Sequence, residues 1–199
     1  MTLKSPYNQI APNNWQSITK RLIERHPLSV RELKGVVLKS WDDIFLSKIG
    51  RKPYFMGRDI APKPQILGFF LHELISLEFE NRYPKKWVRE RNAKDKDMVY
   101  LPNELFSIEI KTSSNPKSIF GNRSYAQVTE NDKKLKSGYY LAINFEKIDS
   151  SGKKPKILKI RFGWLDHDDW MGQTSQTGQQ SRLSREVENG KLIEIFSDN

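Results

Sequence analysis

Glu109-Ile110-Lys111, inside the run IEIKTSS at residues 108–114, sets a carboxylate and an ammonium on one face of an extended strand. Asp97 stands upstream in KDMVYL, and a turn-forming Pro102-Asn103-Glu104 separates the two segments. In an antiparallel pair, opposed residue numbers keep a constant sum. A three-residue loop at 102–104, or a five-residue loop, sets Asp97 opposite Glu109; a two- or four-residue loop sends them to opposite faces. With an odd loop, Asp97, Glu109 and Lys111 share one face while Phe106, Ile108 and Ile110 point into the core. Opposed carboxylates repel unless a cation lies between them. Magnesium suits such a place, because it takes one or two carboxylates and leaves room for water and phosphate. Lys111 would then pair with a carboxylate or orient the attacking water. An amphipathic hairpin with solvated charges shows the same short pattern.

The elements that must hold these residues can be read around them. Residues 15–26 carry Trp15, Ile18, Leu22 and Ile23 at helical spacing and stop at Pro27. Residues 29–49 repeat it through Val30, Leu33, Val37, Trp41, Ile44 and Phe45, and 52–65 reads as a Pro- and Gly-punctuated loop. Ile66 to Arg82 is apolar around most of the wheel, with one polar stripe of His72, Glu73, Ser76 and Glu80, which predicts a central helix. Strands are expected at 87–91, 97–101, 105–112, 138–147, 157–165 and 191–196, with a part-helical polar segment at 124–136 and a Gln/Ser/Thr-rich stretch at 172–185. That order predicts one α/β domain with a mixed central sheet flanked by helices. Its parts are a helical N-terminal region, 1–50, a core that carries the Asp97–Glu109 hairpin, 66–165, and a C-terminal polar segment and strand, 166–199.

Thirty-four Lys and Arg against 24 Asp and Glu give a net charge of +10, which favours a polyanionic partner. Six basic and two acidic side chains crowd residues 83–96, just before the Asp97 strand. Cysteine is absent, which excludes disulfides, Cys-zinc sites and thiol catalysis. The apolar run 66–79 contains His72, Glu73 and Glu78 and is too polar to span a bilayer. Residues 1–15 lack the apolar core of a signal peptide, so a cytoplasmic protein is expected.

Asp97 followed by Glu109-x-Lys111 resembles the hairpin of the PD-(D/E)xK nuclease superfamily. Lys96 stands where that motif usually has proline, which keeps Asp95 as a second possible ligand. A longer resemblance runs through GRDIAPKPQILGFFLHELISLE, FSIEIKTSSNPKSIFGNRSYAQ, SGYYLAINFEK, IRFGWLDHDDW and TGQQSRLS, which together look like the ScaI-type restriction endonucleases. The resemblance implies a Mg²⁺-dependent, homodimeric type II enzyme that cuts a short palindrome in double-stranded DNA. The family is associated with AGTACT and blunt ends, and with a cognate DNA methyltransferase encoded separately. It implies that Asp97, Glu109 and the carbonyl of Ile110 hold the metal and that Lys111 assists the water. It further makes Glu73 the candidate for an additional acid from the preceding helix, with Glu80 behind it.

Two polar clusters have the side chains that read bases. GNRSYAQ offers Asn122, Arg123, Ser124, Tyr125 and Gln127, and TSQTGQQSRLSR offers Gln176, Gln179, Gln180 and Arg182. Arg suits guanine and Asn or Gln suits adenine in the major groove, while Ser and Tyr hydroxyls commonly take phosphates. Lys85, Lys86, Arg89, Arg91 and Lys94 are assigned to phosphates. His72 and His167 lie in no ligand-spaced motif and are read as structural or DNA-facing. A two-fold dimer, with the N-terminal helices as part of its surface, would let so small a chain cut both strands. The rivals are a resolvase or repair nuclease of the same superfamily and a basic DNA-binding module without catalysis.

Overall fold

The computed structural model describes residues 4–127, 135–149, 153–174 and 178–198. Helix α1 (Trp15–Glu24) is followed by α2 (Val30–Leu46), which starts at a capping box: Ser29 accepts from the Glu32 amide while the Glu32 carboxylate accepts from the Ser29 amide. The last residues of the region expected to be helical, as β1 (Lys48–Ile49), pair with β2 (Tyr54–Phe55) from the expected loop in a short hairpin. Helix α3 (Pro64–Arg82) uses Pro64 at its first turn, where the missing N–H costs no hydrogen bond. Strands β3 (Trp87–Arg89), β4 (Met98–Tyr100), β5 (Ile108–Ser113) and β6 (Phe120–Asn122) follow, then β7 (Gly138–Phe145) and β8 (Ile157–Leu165). The chain closes with β9 (Met171–Gly172), β10 (Gln180–Arg182), helix α4 (Arg185–Lys191) and β11 (Leu192–Ser197). Helix α4 lies between the expected polar stretch, 172–185, and the expected strand, 191–196, where no element was expected. The segment expected to be helical near 124–136 shows one 3-10 turn, Arg123–Ala126, and its residues 128–134 lie outside the described residues.

Six strands form a mixed sheet in the order β11-β8-β7-β5-β4-β3, in which only β5 and β7 run parallel. Strand β7 lies inside the sheet and is buried along its whole length, as expected of the near-continuous apolar run GYYLAINF. Its Tyr139, Leu141, Ile143 and Phe145 meet α2 and α3 through Leu33, Val37, Trp41, Leu71, Ile75 and Phe79. Alternate residues Tyr140 and Ala142 face a second core with Ile119, Leu165, Trp170, Leu183 and Val187. Each fully buried Leu, Ile or Phe here contributes about 1.5–3 kcal/mol from water exclusion. A small second sheet, β6-β10-β9, covers that side.

The register of β4 against β5 carries the functional argument. Met98 pairs with Ile108, so Asp97 falls opposite Glu109 as the constant-sum rule requires. The connection is longer than expected, because Glu104–Phe106 coils into a 3-10 turn capped by the Asn103 side chain, but it remains odd.

His26 lies where the helical region meets this connection. The Leu28 amide donates to His26 Nδ1 at 3.1 Å, which leaves Nε2 to donate to the Phe106 carbonyl at 3.0 Å. Burial pushes its pKa down to about 4. The unfolded chain therefore binds a proton that the folded chain refuses, and the stabilisation present above pH 6.5 is lost as pH falls toward 4. Urea melts at pH 7.5 and 5 should show a loss of about 2 kcal/mol in the wild type that is absent from His26→Gln. Equal pH dependence in both proteins would contradict this assignment.

Candidate active site

Strand β5 divides its side chains as the alternation dictates. Ile108 and Ile110 are fully buried toward α3, and Glu109 and Lys111 share the opposite face. Lys111 Nζ donates to Glu109 Oε1 at 2.7 Å, and the Tyr125 hydroxyl donates to the same oxygen at 2.5 Å. Glu109 is only 2% exposed. A carboxylate this deep stays charged only where donors and cations compensate its lost hydration. The Lys111 ammonium also lies 4.6 Å from the centre of the Tyr125 ring.

Asp97 approaches from the end of β4, and its Oδ2 accepts from the Ile110 amide at 2.6 Å. A residue's N–H and C=O point toward the same neighbour in a strand, so the Ile110 carbonyl looks to the same side, where β4 has ended its pairing. His72 Nδ1 is 3.5 Å from Asp97 Oδ2, and the Ser76 hydroxyl donates to the Asp97 carbonyl at 3.3 Å, which ties α3 to the site. Helix α3 can come this close to β5 because Gly68 has no Cβ; one built there would meet Thr112 Oγ1 at 2.5 Å. Asp97 lines a cleft of about 1170 Å³, bordered by His72, Glu73 and Glu80 of α3, Thr112 and Ser113 of β5, and Asn122 and Gln180.

Negative charge converges here. Burial and then the field of Glu109, with Asp97 adding to it, hold the hydroxyls of Tyr125 and Tyr140 well above the usual phenol range. Among the described residues no three acidic or histidine side chains lie close enough to cage a metal ion. A hard cation that takes two carboxylates and a carbonyl and keeps its other positions for water and phosphate suits this donor set, and Mg²⁺ is such an ion.

The other expected site residues divide clearly. Glu73 lines the cleft half-exposed, its carboxylate 3.8 Å from Arg89, and Glu80 pairs with the same guanidinium at 2.9 Å. Arg91 is held by Asp95 and Glu104, so Asp95 is turned to Arg91 while Asp97 is on Ile110. Lys85, Lys86 and Lys94 are exposed. The two polar clusters, far apart in sequence, meet in the second sheet: Gln180 pairs with Asn122, Ser181 with Gly121 and Arg182 with Phe120. Asn122, Gln180 and Arg182 are exposed, and the first two line the cleft. Arg123 donates to the Gly178 carbonyl, Ser124, Gln127 and Gln179 are exposed, and Gln176 lies outside the described residues. Tyr125, grouped above with phosphate-facing hydroxyls, donates its hydroxyl to Glu109, and Trp170 packs against its ring at 5.1 Å. His72 at Asp97 is the contact that the sequence reading passed over. Its place on the polar stripe, one residue before Glu73, was the available signal.

A family model described as ScaI restriction endonuclease matches residues 5–196. A protein of Streptomyces caespitosus described as Type II restriction enzyme ScaI is 47% identical over 200 residues, covering 98% of this chain and 86% of that protein.

Proposed function

Since the chain belongs to the ScaI restriction endonuclease family, whose members are site-specific deoxyribonucleases, we propose that it hydrolyses both strands of a short DNA palindrome with Mg²⁺ held by Asp97, Glu109 and the Ile110 carbonyl. The observation that carries this reading is Asp97, which lines a cleft, seated on the Ile110 amide beside the buried Glu109. Mg²⁺ in this place supplies Lewis-acid stabilisation of charge at phosphorus and a lower pKa for a water.

The protein's own groups do the rest. Lys111, fixed by Glu109 and 15% exposed, presents an ammonium that orients the attacking water and offsets the phosphate charge. Asn122 and Gln180, side by side at the cleft, have the amide geometry that reads adenine, and Arg182 on the same face suits guanine. Lys85, Lys86 and Lys94 face phosphates, and Ser124, Gln127 and Gln179 complete the polar rim. Arg89 and Arg91 reach phosphates by exchanging their present carboxylates for them. Glu73 stands by as the additional acid once Arg89 turns to DNA. A homodimer places two such sites across a two-fold palindrome, with AGTACT cut to blunt ends as the family's expectation. The cytoplasm, where a separate methyltransferase protects host DNA, is the fitting compartment, and among the described residues no helix is long and apolar enough to cross a membrane.

Digestion of a long defined DNA with Mg²⁺ tests the reading. Discrete fragments should appear, and their sequenced ends should share one palindrome. Cuts scattered over the duplex, or confined to branched junctions, would instead favour a repair nuclease or resolvase.

A further inference from the structure

We infer that Tyr125 is a positioning residue for cleavage, holding the Glu109 carboxylate in place and tying it to the base-facing strands β6 and β10. The inference rests on the nuclease reading above. Two donors, Tyr125 Oη at 2.5 Å and Lys111 Nζ at 2.7 Å, converge on one oxygen of Glu109 and so fix the plane of the carboxylate. The same tyrosine gives its ring face to the Lys111 ammonium at 4.6 Å, so one side chain orients both members of the pair. Outer partners of this kind typically govern metal affinity or activity by about 10- to 100-fold.

The tie to the base-facing strands follows from the chain. Tyr125 sits in the 3-10 turn Arg123–Ala126, directly after Asn122 at the end of β6. The Arg123 amide donates to the Gln179 carbonyl at 2.8 Å, which fastens this turn to the strand that carries Gln180. The ring has little freedom: Trp170 packs edge-on at 5.1 Å, and a Cβ at Gly121 would meet Ser181 Oγ at 2.8 Å, Tyr125 Cγ at 3.0 Å and Trp170 at 3.2 Å. A shift of β6 and β10 as they seat on base edges therefore reaches Glu109 through a rigid ring rather than through a slack loop.

Tyr125→Phe keeps the ring and removes only the hydroxyl, and Gly121→Ala keeps the hydroxyl and crowds both Ser181 of β10 and the Tyr125 ring. Three quantities are measured on the full chain: Mn²⁺ binding to the free protein by calorimetry, the Mg²⁺ concentration that half-saturates cleavage, and duplex affinity in EDTA. In Tyr125→Phe, Mn²⁺ affinity should fall by about 10- to 100-fold and the Mg²⁺ requirement should rise to match, with duplex affinity unchanged. Gly121→Ala should move the first two in the same direction by less. Wild-type metal behaviour in Tyr125→Phe overturns the positioning role, and wild-type behaviour in Gly121→Ala overturns the tie to the recognition strands. A parallel fall in EDTA duplex affinity also overturns the inference, because the hydroxyl would then be a DNA contact. A wild-type protein that neither binds Mn²⁺ nor cuts DNA would overturn the nuclease reading itself, a result distinct from all of these.

Discussion

Lys111→Ala is expected to lower the single-turnover cleavage rate by about 10²- to 10⁴-fold, the range for a positioned group acting on the attacking water. Duplex affinity in EDTA should stay near wild type, because Lys111 is mostly enclosed and paired with Glu109 rather than displayed to phosphates. The variant also leaves Glu109, 2% exposed, with one cation fewer, so some loss of stability accompanies it. Circular dichroism and EDTA binding on the same sample separate the two effects: a folded, DNA-binding, inactive protein is the predicted outcome. Full activity in Lys111→Ala would remove the ammonium from the mechanism, and equal loss of binding and cutting would make it a substrate contact only.

The largest effect on stability is expected away from Asp97, Glu109 and Lys111, in a buried ion pair. Glu188 and Arg161 are both nearly sealed from solvent and lie 3.5 Å apart between α4 and β8. Burial pushes the Arg161 guanidinium pKa down, and the Glu188 carboxylate opposes that shift. Arg161 also donates to Asn144 Oδ1 at 3.0 Å, and Glu188 accepts from the Ile119 amide at 3.2 Å. Removing one partner of such a pair leaves a charge and an amide without their acceptor, so Glu188→Ala should cost about 3–5 kcal/mol. The exposed Glu186 on the same helix is the control, and its alanine variant should stay within about 0.5 kcal/mol. Urea denaturation of the three proteins decides the matter. A Glu188→Ala loss below about 1 kcal/mol would mean that water reaches Arg161 and that the network does not hold the β5–β6 turn, whose Asn115 borders the cleft.

Legibility of this chain in its sequence follows how local each signal is. The Asp97–Glu109 register was readable because it depends only on an odd connection and a period of two, and the coil at Glu104–Phe106 lengthened the loop without changing that parity. Strand β8 begins and ends where its apolar run does, and α2 starts where Ser29 and Glu32 form their box. Helix α4 escaped notice because REVENGK has only seven residues and carries Asn189 and Gly190, both poor helix formers; packing against Trp15 and β8 holds it. The sheet β6-β10-β9 escaped for a different reason. FGN, QSR and MG have no alternating apolar pattern, and the β6–β10 pairing joins segments about 60 residues apart. The surroundings of Tyr125 could not be read locally either, since its ring meets Trp170, a residue distant in sequence.

Diffraction from crystals of the protein with a DNA duplex and Mn²⁺, recorded at a wavelength where manganese scatters anomalously, tests the two-carboxylate metal site most directly. An anomalous peak within bonding distance of Asp97, Glu109 and the Ile110 carbonyl is the predicted result. A peak on Glu73 and Glu80 instead, or a bound duplex with no peak and Asp97 still on the Ile110 amide, would contradict it.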